Sequence, residues 1–318
     1  MIYKPLGNTG FNVSALSLGT LTMGPLQADY SVSMGSNLIK SALKLGINLF
    51  DTAEIYKTYG HLKAGKLPTD GSSPAFIISK SYAYDYVSME QSVIKALKET
   101  GRKFIDIFML HQQESALTLK GHDGALQYLI EAKKRGLIRA IGISTHHISA
   151  VKASLDYKDI EVIFAILNSK GLGIMDGGRT EMESALNDAY KQGKGILIMK
   201  ALGGGHFFRD VKNAFEYINS LPFVSSCVVG AGSTEEIQMN SMLIEGKNVP
   251  IELEEKINGK ERHLNIETDS CQGCGQCVLR CPQKAINIIE NKAIVEHAKC
   301  ILCAYCASAC PDFCIEVV

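Results

Sequence analysis

Short runs of apolar residues recur along most of the chain, and each is followed by a segment in which apolar residues return every three or four positions. Runs that are apolar at nearly every position are typical of parallel strands buried on both faces, and the longer spacing is typical of helices that bury one face. Eight runs are predicted to be strands. They are ALSLGT from Ala15, INLFDTA from Ile47, AFIISKSY from Ala75, FIDIFMLH from Phe104, IRAIGIST from Ile138, EVIFAILN from Glu161, GILIMKAL from Gly195 and FVSSCVVGA from Phe223.

Several of the intervening segments carry signals for helix ends. Ser88, followed three residues later by Gln91, fits the capping box that begins a helix over SMEQSVIKALKET. Gly136 follows GALQYLIEAKKR, and Gly193 follows TEMESALNDAYKQ, where a glycine commonly ends a helix. The pattern therefore predicts that helices alternate with the strands.

Eight strands, each followed by a helix, predict an α/β fold, a (β/α)8 TIM barrel, over residues 1–250. The opening IYKPLGNTGFNV predicts a β-hairpin that turns at Asn8-Thr9-Gly10 and closes the barrel floor. The charged segment 251–263 predicts a linker helix. Residues 264–318 are rich in cysteine and are predicted to form a second, small α+β domain.

Charge and hydropathy limit the partners of the protein. Lysine plus arginine equal aspartate plus glutamate at 33 each, which argues against nucleic acid or an anionic membrane as a partner. The sequence has neither a run of about 18 apolar residues nor an N-terminal basic segment followed by an apolar one. We expect a cytoplasmic protein, in which thiols stay reduced and clustered cysteines favour metal over disulfides.

Eight of the ten cysteines form two copies of the pattern C-x-x-C-x-x-C-x-x-x-C-P. A triplet of cysteines at this spacing, followed by Cys-Pro, is typical of [4Fe–4S] ferredoxins. Structural zinc sites use pairs of C-x-x-C instead, so the spacing favours iron–sulfur clusters over zinc. The first copy is Cys271, Cys274, Cys277 and Cys281, and the second is Cys300, Cys303, Cys306 and Cys310.

The cysteine-rich segment resembles bacterial-type ferredoxins with two [4Fe–4S] clusters. In such ferredoxins the cysteine before proline binds the other cluster. The resemblance implies one ligand set of Cys271, Cys274, Cys277 and Cys310, and a second of Cys300, Cys303, Cys306 and Cys281. Of the remaining two cysteines, Cys227 is interpreted as a core residue, and Cys314 is expected to pack near a cluster without binding it.

Four polar residues lie at the predicted carboxyl ends of the second, third and fourth strands, which is the catalytic face of a TIM barrel. They are Asp51, Tyr56, Lys80 and His111. A lysine cation is expected to favour tyrosinate, an aspartate to hold that lysine, and a histidine to orient a carbonyl oxygen, so that tyrosine transfers a proton. Tyr59 offers a rival register. The alternative for the set is a structural Lys–Asp pair with an unrelated histidine.

The stretch from Gly46 to Tyr56, G-x-x-x-x-D-T-A-x-x-Y, together with Lys80, His111 and IRAIGIS, resembles the aldo-keto reductase family. With the cysteine repeat, the chain resembles the subgroup that carries a C-terminal ferredoxin domain. This resemblance implies a catalytic tetrad of Asp51, Tyr56, Lys80 and His111, and NADPH-linked reduction of a carbonyl.

The resemblance also implies residues that bind the nicotinamide cofactor. They are Ser144, Thr145, Lys200, Gly230, Ser233, Glu236 and Asn240. Three departures from the family leave NAD(P)H, flavin and the clusters all open as electron sources. Thr145 replaces an asparagine, Phe164 replaces a glutamine, and no basic residue follows Gly230 to bind the 2′-phosphate of NADPH.

Other residues are expected near the barrel mouth, and their roles stay open. The glycines Gly203–Gly205 form either a phosphate-binding turn or a plain tight turn. His146 and His147 either contact substrate or lie in a solvated loop, and His122 and Lys170 are further candidates.

The sequence predicts an oxidoreductase that reduces a carbonyl-type small molecule, or oxidises the alcohol, and exchanges electrons through two [4Fe–4S] clusters. A redox partner protein is a further expected partner. Two alternatives are kept: an electron-transfer protein built on an inactive barrel, and an NADPH reductase whose clusters are structural.

Overall fold

The computed structural model describes residues 1–68, 75–258, 261–303 and 305–318. Within these ranges eight parallel strands close a barrel, in which each strand is hydrogen-bonded to the next and the last to the first. All eight predicted strands form, and the (β/α)8 barrel is confirmed. The barrel strands are β3 Leu16–Gly19, β4 Leu49–Asp51, β5 Phe76–Ser81, β6 Ile105–Leu110, β7 Ile138–Thr145, β8 Val162–Ile166, β9 Gly195–Met199 and β10 Ser226–Gly230.

Amphipathic helices surround the barrel and bury their apolar faces against it. They are α1 Val32–Lys44, α2 Tyr59–Gly65, α3 Tyr86–Thr100, α4 Ala116–Gly121, α5 Asp123–Lys134, α6 Ile148–Ser154, α7 Arg179–Lys191, α8 Val211–Asn219 and α9 Thr234–Ile244. The predicted start of α3 was wrong. Its N-cap is Asp85, whose side chain accepts a hydrogen bond from the Ser88 backbone N–H at 2.9 Å. Gly136 and Gly193 follow α5 and α7 with φ of 71° and 83°, as predicted for helix ends.

The predicted hairpin closes the barrel floor. Its strands, β1 Tyr3–Pro5 and β2 Asn12–Ser14, pair antiparallel. Leu6, Phe11 and Val13 are buried in the core inside the barrel, and the Phe11 ring stacks on Phe76 at 4.9 Å. At Gly7, with φ of 51°, a Cβ would lie 2.3 Å from the Gly195 nitrogen. A glycine is therefore required where the hairpin passes under the barrel.

The C-terminal region contains α10 Ile251–Asn258, which packs on α9, and a small α+β unit. The predicted linker helix is present over Ile251–Asn258, residues 261–263 are not helical, and residues 259–260 lie outside the described residues. In the small unit two antiparallel pairs flank two short helices. They are β11 Leu264–Ile266 with β14 Ile315–Val317, β12 Ile286–Ile289 with β13 Lys292–Val295, α11 Gln276–Arg280 and α12 Tyr305–Ala309.

The strand β14 lies across the glycine turn at the barrel mouth. The Val317 N–H donates to the Gly204 carbonyl oxygen at 2.9 Å. A Cβ on Gly205, whose φ is 83°, would lie 2.0 Å from the Val317 carbonyl oxygen. These contacts favour the tight turn over the phosphate loop, because the turn is already packed against the chain's own C-terminal strand. No helix in the described residues is long and apolar enough to cross a membrane.

Candidate active site and cluster-binding cavities

The predicted tetrad converges at the carboxyl ends of the barrel strands. Asp51 ends β4, Tyr56 ends a 3-10 turn that begins at Glu54, Lys80 lies near the end of β5, and His111 follows β6. Tyr56, Lys80 and His111 line a cavity of about 250 Å³ at the mouth of the barrel. The parallel strands place these side chains at one edge, as their order along the chain predicted.

Lys80 is buried at 1% exposure and is held by two acceptors. Its Nζ donates to Asp51 Oδ1 at 2.5 Å and to the Thr52 carbonyl oxygen at 2.8 Å. Burial lowers the pKa of Lys80, while the Asp51 carboxylate opposes that change. The same Nζ lies 5.0 Å from the centre of the Tyr56 ring. The ion pair therefore keeps an ammonium group beneath the tyrosine.

The surroundings of Tyr56 favour its protonated form. Burial, followed by the Asp51 carboxylate, raises the pKa of Tyr56 well above its usual value. The net shift in the pKa of Tyr56 is thus opposite to the one that Lys80 was expected to produce, because burial and Asp51 favour the neutral phenol. Tyr56 thus holds its proton at neutral pH.

His111 completes the site as a neutral imidazole. Its ring lies edge-on to Tyr56, with centroids 5.9 Å apart. Burial, with smaller effects from Lys80 and His146, holds the pKa of His111 well below its usual value. Tyr82, which sequence reasoning missed, stacks on His111 at 4.3 Å. Its signal was its place in the run FIISKSY, two residues after Lys80.

Tyr59, the rival to Tyr56, lies elsewhere. Its hydroxyl is bonded to Ser79 Oγ at 2.6 Å, and the residue is 1% exposed. It is absent from the described lining of the cavity, whereas Tyr56 is part of it. The Asp51-to-Tyr56 spacing therefore selects the tyrosine that reaches the cavity.

The predicted nicotinamide contacts already have local partners. Ser144 Oγ accepts from the Gln112 N–H at 2.9 Å, and Thr145 Oγ1 accepts from the His147 N–H at 2.8 Å. Ser144 lines the cavity, and Thr145 is buried beside it. The Phe164 ring lies 5.2 Å from Lys80 Nζ and forms part of the barrel interior.

The predicted adenosine contacts lie apart from the tetrad. Gly230 ends β10, Ser233 lies in the turn that follows, and Glu236 and Asn240 lie in α9. Ser233 is the N-cap of α9, and Glu236 Oε2 accepts from the Gly232 N–H at 2.8 Å. Arg262, which the sequence analysis did not single out, donates to Glu236 Oε1 at 3.3 Å. The Arg262 guanidinium therefore lies beside the turn after β10, whose own sequence contains no basic residue.

Lys200, the remaining cofactor candidate, forms an ion pair with Glu316 of β14. Glu316 also accepts a hydrogen bond from Gln27. Burial lowers the pKa of Lys200 to about 8, while the Glu267 carboxylate opposes that change. No motif indicated Glu316, because Glu316, Lys200 and Gln27 are brought together only when the small unit packs on the barrel.

Residues of the small unit complete the wall of the cavity opposite the barrel. They are Asn265, Glu267, Asp269, Ser270, Asp312, Phe313 and Glu316. His146 and His147 line the same cavity, whereas His122 and Lys170 are absent from its described lining. Burial, followed by Lys200, lowers the pKa of His146 to about 3, so that this ring is also neutral.

The cysteines of the small unit line two separate cavities. One is lined by Cys271, Cys274, Cys277 and Cys310, with Cys314 as a fifth cysteine, and the other is lined by Cys281, Cys300, Cys303 and Cys306. This is the exchange of the fourth cysteine that the ferredoxin resemblance implied.

Backbone N–H groups point at sulfur in both cavities. The Ala293 N–H lies 3.4 Å from Cys271 Sγ, and the Ala285 N–H lies 3.3 Å from Cys281 Sγ. Cys314 Sγ lies 3.5 Å from Cys310 Sγ, and Cys227 is buried in the barrel core as predicted. In the described ranges no three His, Cys, Asp or Glu side chains group closely enough to hold a single metal ion. Four thiols around a cavity and N–H donors to sulfur fit a cluster in each site.

Comparison with known families identifies both parts of the chain. The Aldo/keto reductase family matches residues 15–220, and the 4Fe-4S dicluster domain matches residues 263–311. The chain therefore belongs to the aldo/keto reductase family. Its C-terminal residues form a 4Fe–4S ferredoxin-type domain.

Relatives with curated names are similar over part of their length. The Glycine max protein named "Probable aldo-keto reductase 1" is 28% identical over 221 residues, which cover 60% of this chain and 61% of that protein. Methylglyoxal reductase DkgA of Escherichia coli K12 is 29% identical over 119 residues, or 37% of this chain and 42% of the enzyme. The chain thus spans about two fifths to three fifths of these relatives.

A solved aldo-keto reductase of Bacillus halodurans, in its holo form, has the same barrel. It superposes with a TM-score of 0.64 at 17% identity, covering 81% of this chain and 95% of that chain. At 17% identity this similarity shows only that the two proteins share a fold.

Proposed function

We propose that the protein reduces the carbonyl group of a small molecule in the barrel cavity and exchanges electrons through two [4Fe–4S] clusters. The observation that carries the proposal is that the catalytic cavity and one cysteine-lined cavity share a wall. Asp312 lines both the catalytic cavity and the cavity of Cys271, Cys274, Cys277 and Cys310. The residues that would hold one cluster are therefore next to the residues that would hold the substrate.

We propose that eight of the nine cysteines around the two cavities are the cluster ligands, four in each, as the ferredoxin resemblance implies. A bound [4Fe–4S] cluster supplies electrons one at a time. The chain's part is to provide thiolates, to donate the N–H groups of Ala293 and Ala285 to sulfur, and to exclude water with apolar side chains around the cavities. Cys314 is proposed to pack beside the first set without a ligand role.

Reduction of a carbonyl to an alcohol takes two electrons and two protons, and the two bound clusters would supply one electron each. Tyr56 is proposed to donate one proton to the carbonyl oxygen as negative charge develops there, and the proton that bonds to carbon would come from water in the cavity. The raised pKa of Tyr56 keeps its proton in place until then. The Lys80 ammonium, held by Asp51, stabilises the tyrosinate that remains. Neutral His111 orients the carbonyl oxygen by a hydrogen bond.

Electrostatics in the mouth favour the clusters over NAD(P)H as the electron source. Lys200 is neutralised by Glu316, and the hydroxyls of Ser144 and Thr145 have local partners. A nicotinamide cofactor brings phosphates, which need free cations or N–H groups. Flavin needs such groups too, and no residues are assigned to it.

A second candidate, an NADPH reductase whose clusters are structural, is favoured by Arg262. Its guanidinium pairs with Glu236 beside Ser233 at the predicted adenosine turn. That position would suit the 2′-phosphate of NADPH. In this case NADPH would support turnover without changing the clusters.

A redox partner protein is proposed to dock at the second set of cysteines. Cys303 is exposed, and Leu279, Ile301 and Tyr305 nearby are 82%, 55% and 54% exposed. Exposed apolar side chains of this kind mark interaction surfaces.

The test is anaerobic turnover of methylglyoxal, chosen because reductases of this compound are among the relatives. We expect methylglyoxal to be consumed with reduced methyl viologen as donor and to be consumed little with NADPH alone. The visible absorbance of the clusters, recorded during turnover, reports their oxidation state. Turnover with NADPH that leaves cluster absorbance unchanged would favour the second candidate. Absence of turnover with either donor would contradict the proposal.

Substitution separates the two tyrosines. Tyr56→Phe is expected to lower kcat by about a hundredfold or more, because a positioned acid contributes on this scale. Tyr59→Phe is the matched control, since it removes a hydroxyl that bonds Ser79 and not the cavity. Equal effects of the two variants, at unchanged iron content, would argue that the tyrosine role is structural.

A further inference from the structure

The catalytic cavity has more hydrogen-bond acceptors and negative charges than donors and cations. Both of its ammonium groups are neutralised, Lys80 by Asp51 and Lys200 by Glu316. Further carboxylates on the wall have no ion pair within the described part of the chain. They are Glu114, Glu267, Asp269 and Asp312. The imbalance indicates that the occupant supplies positive charge and N–H or O–H donors.

Glu267 is the best placed of these carboxylates. It follows β11, and its backbone N–H donates to the Cys314 carbonyl oxygen at 2.8 Å, which fixes it to the C-terminal strand region. Its Oε2 accepts from Ser270 Oγ at 3.0 Å. The side chain is half-buried, unlike exposed Glu114 and Asp269, so its charge is screened less by water. Its charge also bears on Tyr56 and Lys200 from across the cavity.

Gln113 supplies an independent sign of a missing donor. It is 1% exposed and lines the cavity from the barrel side. Its backbone N–H donates to the Ser144 carbonyl oxygen at 2.8 Å, and its Nε2 lies 3.4 Å from the His111 carbonyl oxygen. Its Oε1 is buried and has no partner among the described residues. A buried acceptor without a donor is unfavourable, so a ligand that donates to it gains affinity.

We infer that Glu267 and Gln113 select substrates that carry an ammonium group beside the carbonyl, Glu267 accepting the cation and Gln113 a hydrogen bond. This rests on the proposed function for the carbonyl chemistry, and it adds the substrate class: small amino ketones and amino aldehydes over neutral or carboxylated ones. The ferredoxin domain thereby contributes a specificity residue to the barrel site.

Binding measured without turnover tests the inference. Calorimetry on the cluster-loaded protein, under nitrogen, compares 1-amino-2-propanol, 1,2-propanediol and lactate, which are alcohols of matched size. We expect the amino alcohol to bind about tenfold or more tightly than the diol, and lactate to bind weakest, since a hydrogen bond to a charged group is worth at least this ratio.

The variants decide which residue is responsible. Glu267→Gln is expected to bring the amino alcohol and the diol to within about threefold, and Glu290→Gln, the same charge change on an exposed turn of that domain, to leave the preference intact. Gln113→Leu is expected to raise the dissociation constant of the amino alcohol by about tenfold. Equal binding of all three ligands, binding of none, or a preference that survives Glu267→Gln would overturn the inference. If binding behaves as expected but aminoacetone, the ketone of 1-amino-2-propanol, is not reduced with reduced methyl viologen as donor, the proposed function fails and the binding site stands.

Discussion

The Lys80–Asp51 pair combines a structural role with the proposed chemical one. Both groups are buried, and neither can be removed without leaving its partner charged in an apolar setting. Tyr56, the proposed acid, lies close to this pair, whose lysine would stabilise the charge left after proton transfer. Stability and catalysis can therefore be separated by substitution.

At this site Lys80→Met is expected to abolish turnover and to lower the free energy of unfolding by about 3 kcal/mol, because Asp51 is left buried without its partner. Asp51→Asn combined with Lys80→Met should recover most of that stability and none of the activity. Urea unfolding and turnover of methylglyoxal are the measurements. If the double variant is as unstable as Lys80→Met alone, the loss of stability comes from lost packing rather than from an unpaired buried charge.

At the scale of single residues, the sequence predicted some features of the site and missed others. The tetrad was predictable because each member follows a strand end, and parallel strands bring those ends together. The pKa of Tyr56 was not, since burial and Asp51 outweigh the lysine that the sequence places nearby. Gln113 was also missed, because an amide is informative only once its oxygen is known to lack a donor.

Among the elements, the 3-10 turn Glu54–Tyr56 has the most direct influence on the site, because it carries the acid. Glu54 Oε2 accepts from Ser81 Oγ and Ser92 Oγ, both at 2.8 Å, and Oε1 pairs with Lys95 at 3.2 Å. The turn is thus fixed to β5 and α3 by one carboxylate.

For this turn, Glu54→Ala is expected to lower kcat by about tenfold and to leave KM nearly unchanged, since Tyr56 loses its position and not its acidity. Lys95→Ala, which removes only the exposed ion pair, is the control and should have little effect. A Glu54→Ala variant with wild-type kcat would show that the turn holds its shape without this anchor.

The elements themselves were largely predictable from sequence. Near-continuous apolar runs are distinctive, and each of the eight became a barrel strand. The start of α3 was misplaced because Asp85 and Ser88 are both good caps, and only the structure shows which side chain accepts the hydrogen bond.

At the scale of the whole molecule, the docking of the ferredoxin domain decides what the barrel mouth can bind. Glu316 pairs with Lys200, Val317 donates to Gly204, and Gln27 donates to Glu316. These partners are far apart in sequence, so no local pattern could predict them. The domain thus occupies groups that could otherwise bind an anion.

Glu316→Gln is accordingly expected to tighten NADPH binding by about tenfold, because Lys200 is then free to meet a phosphate. Fluorescence titration of NADPH under nitrogen is the measurement. Glu296→Gln, at a surface ion pair of the same domain, is the control and should not change the affinity. An unchanged dissociation constant for Glu316→Gln would show that Lys200 is not the contact that limits NADPH.

The apolar core of the ferredoxin domain is continuous with that of the barrel, and Phe313 belongs to both this core and the catalytic cavity. Damage by oxygen to the iron–sulfur centres would loosen the fold around the cysteines and so disturb the cavity wall. On the proposed function, exposure to air would therefore reduce substrate affinity and electron supply together, because one packed core supports both sites.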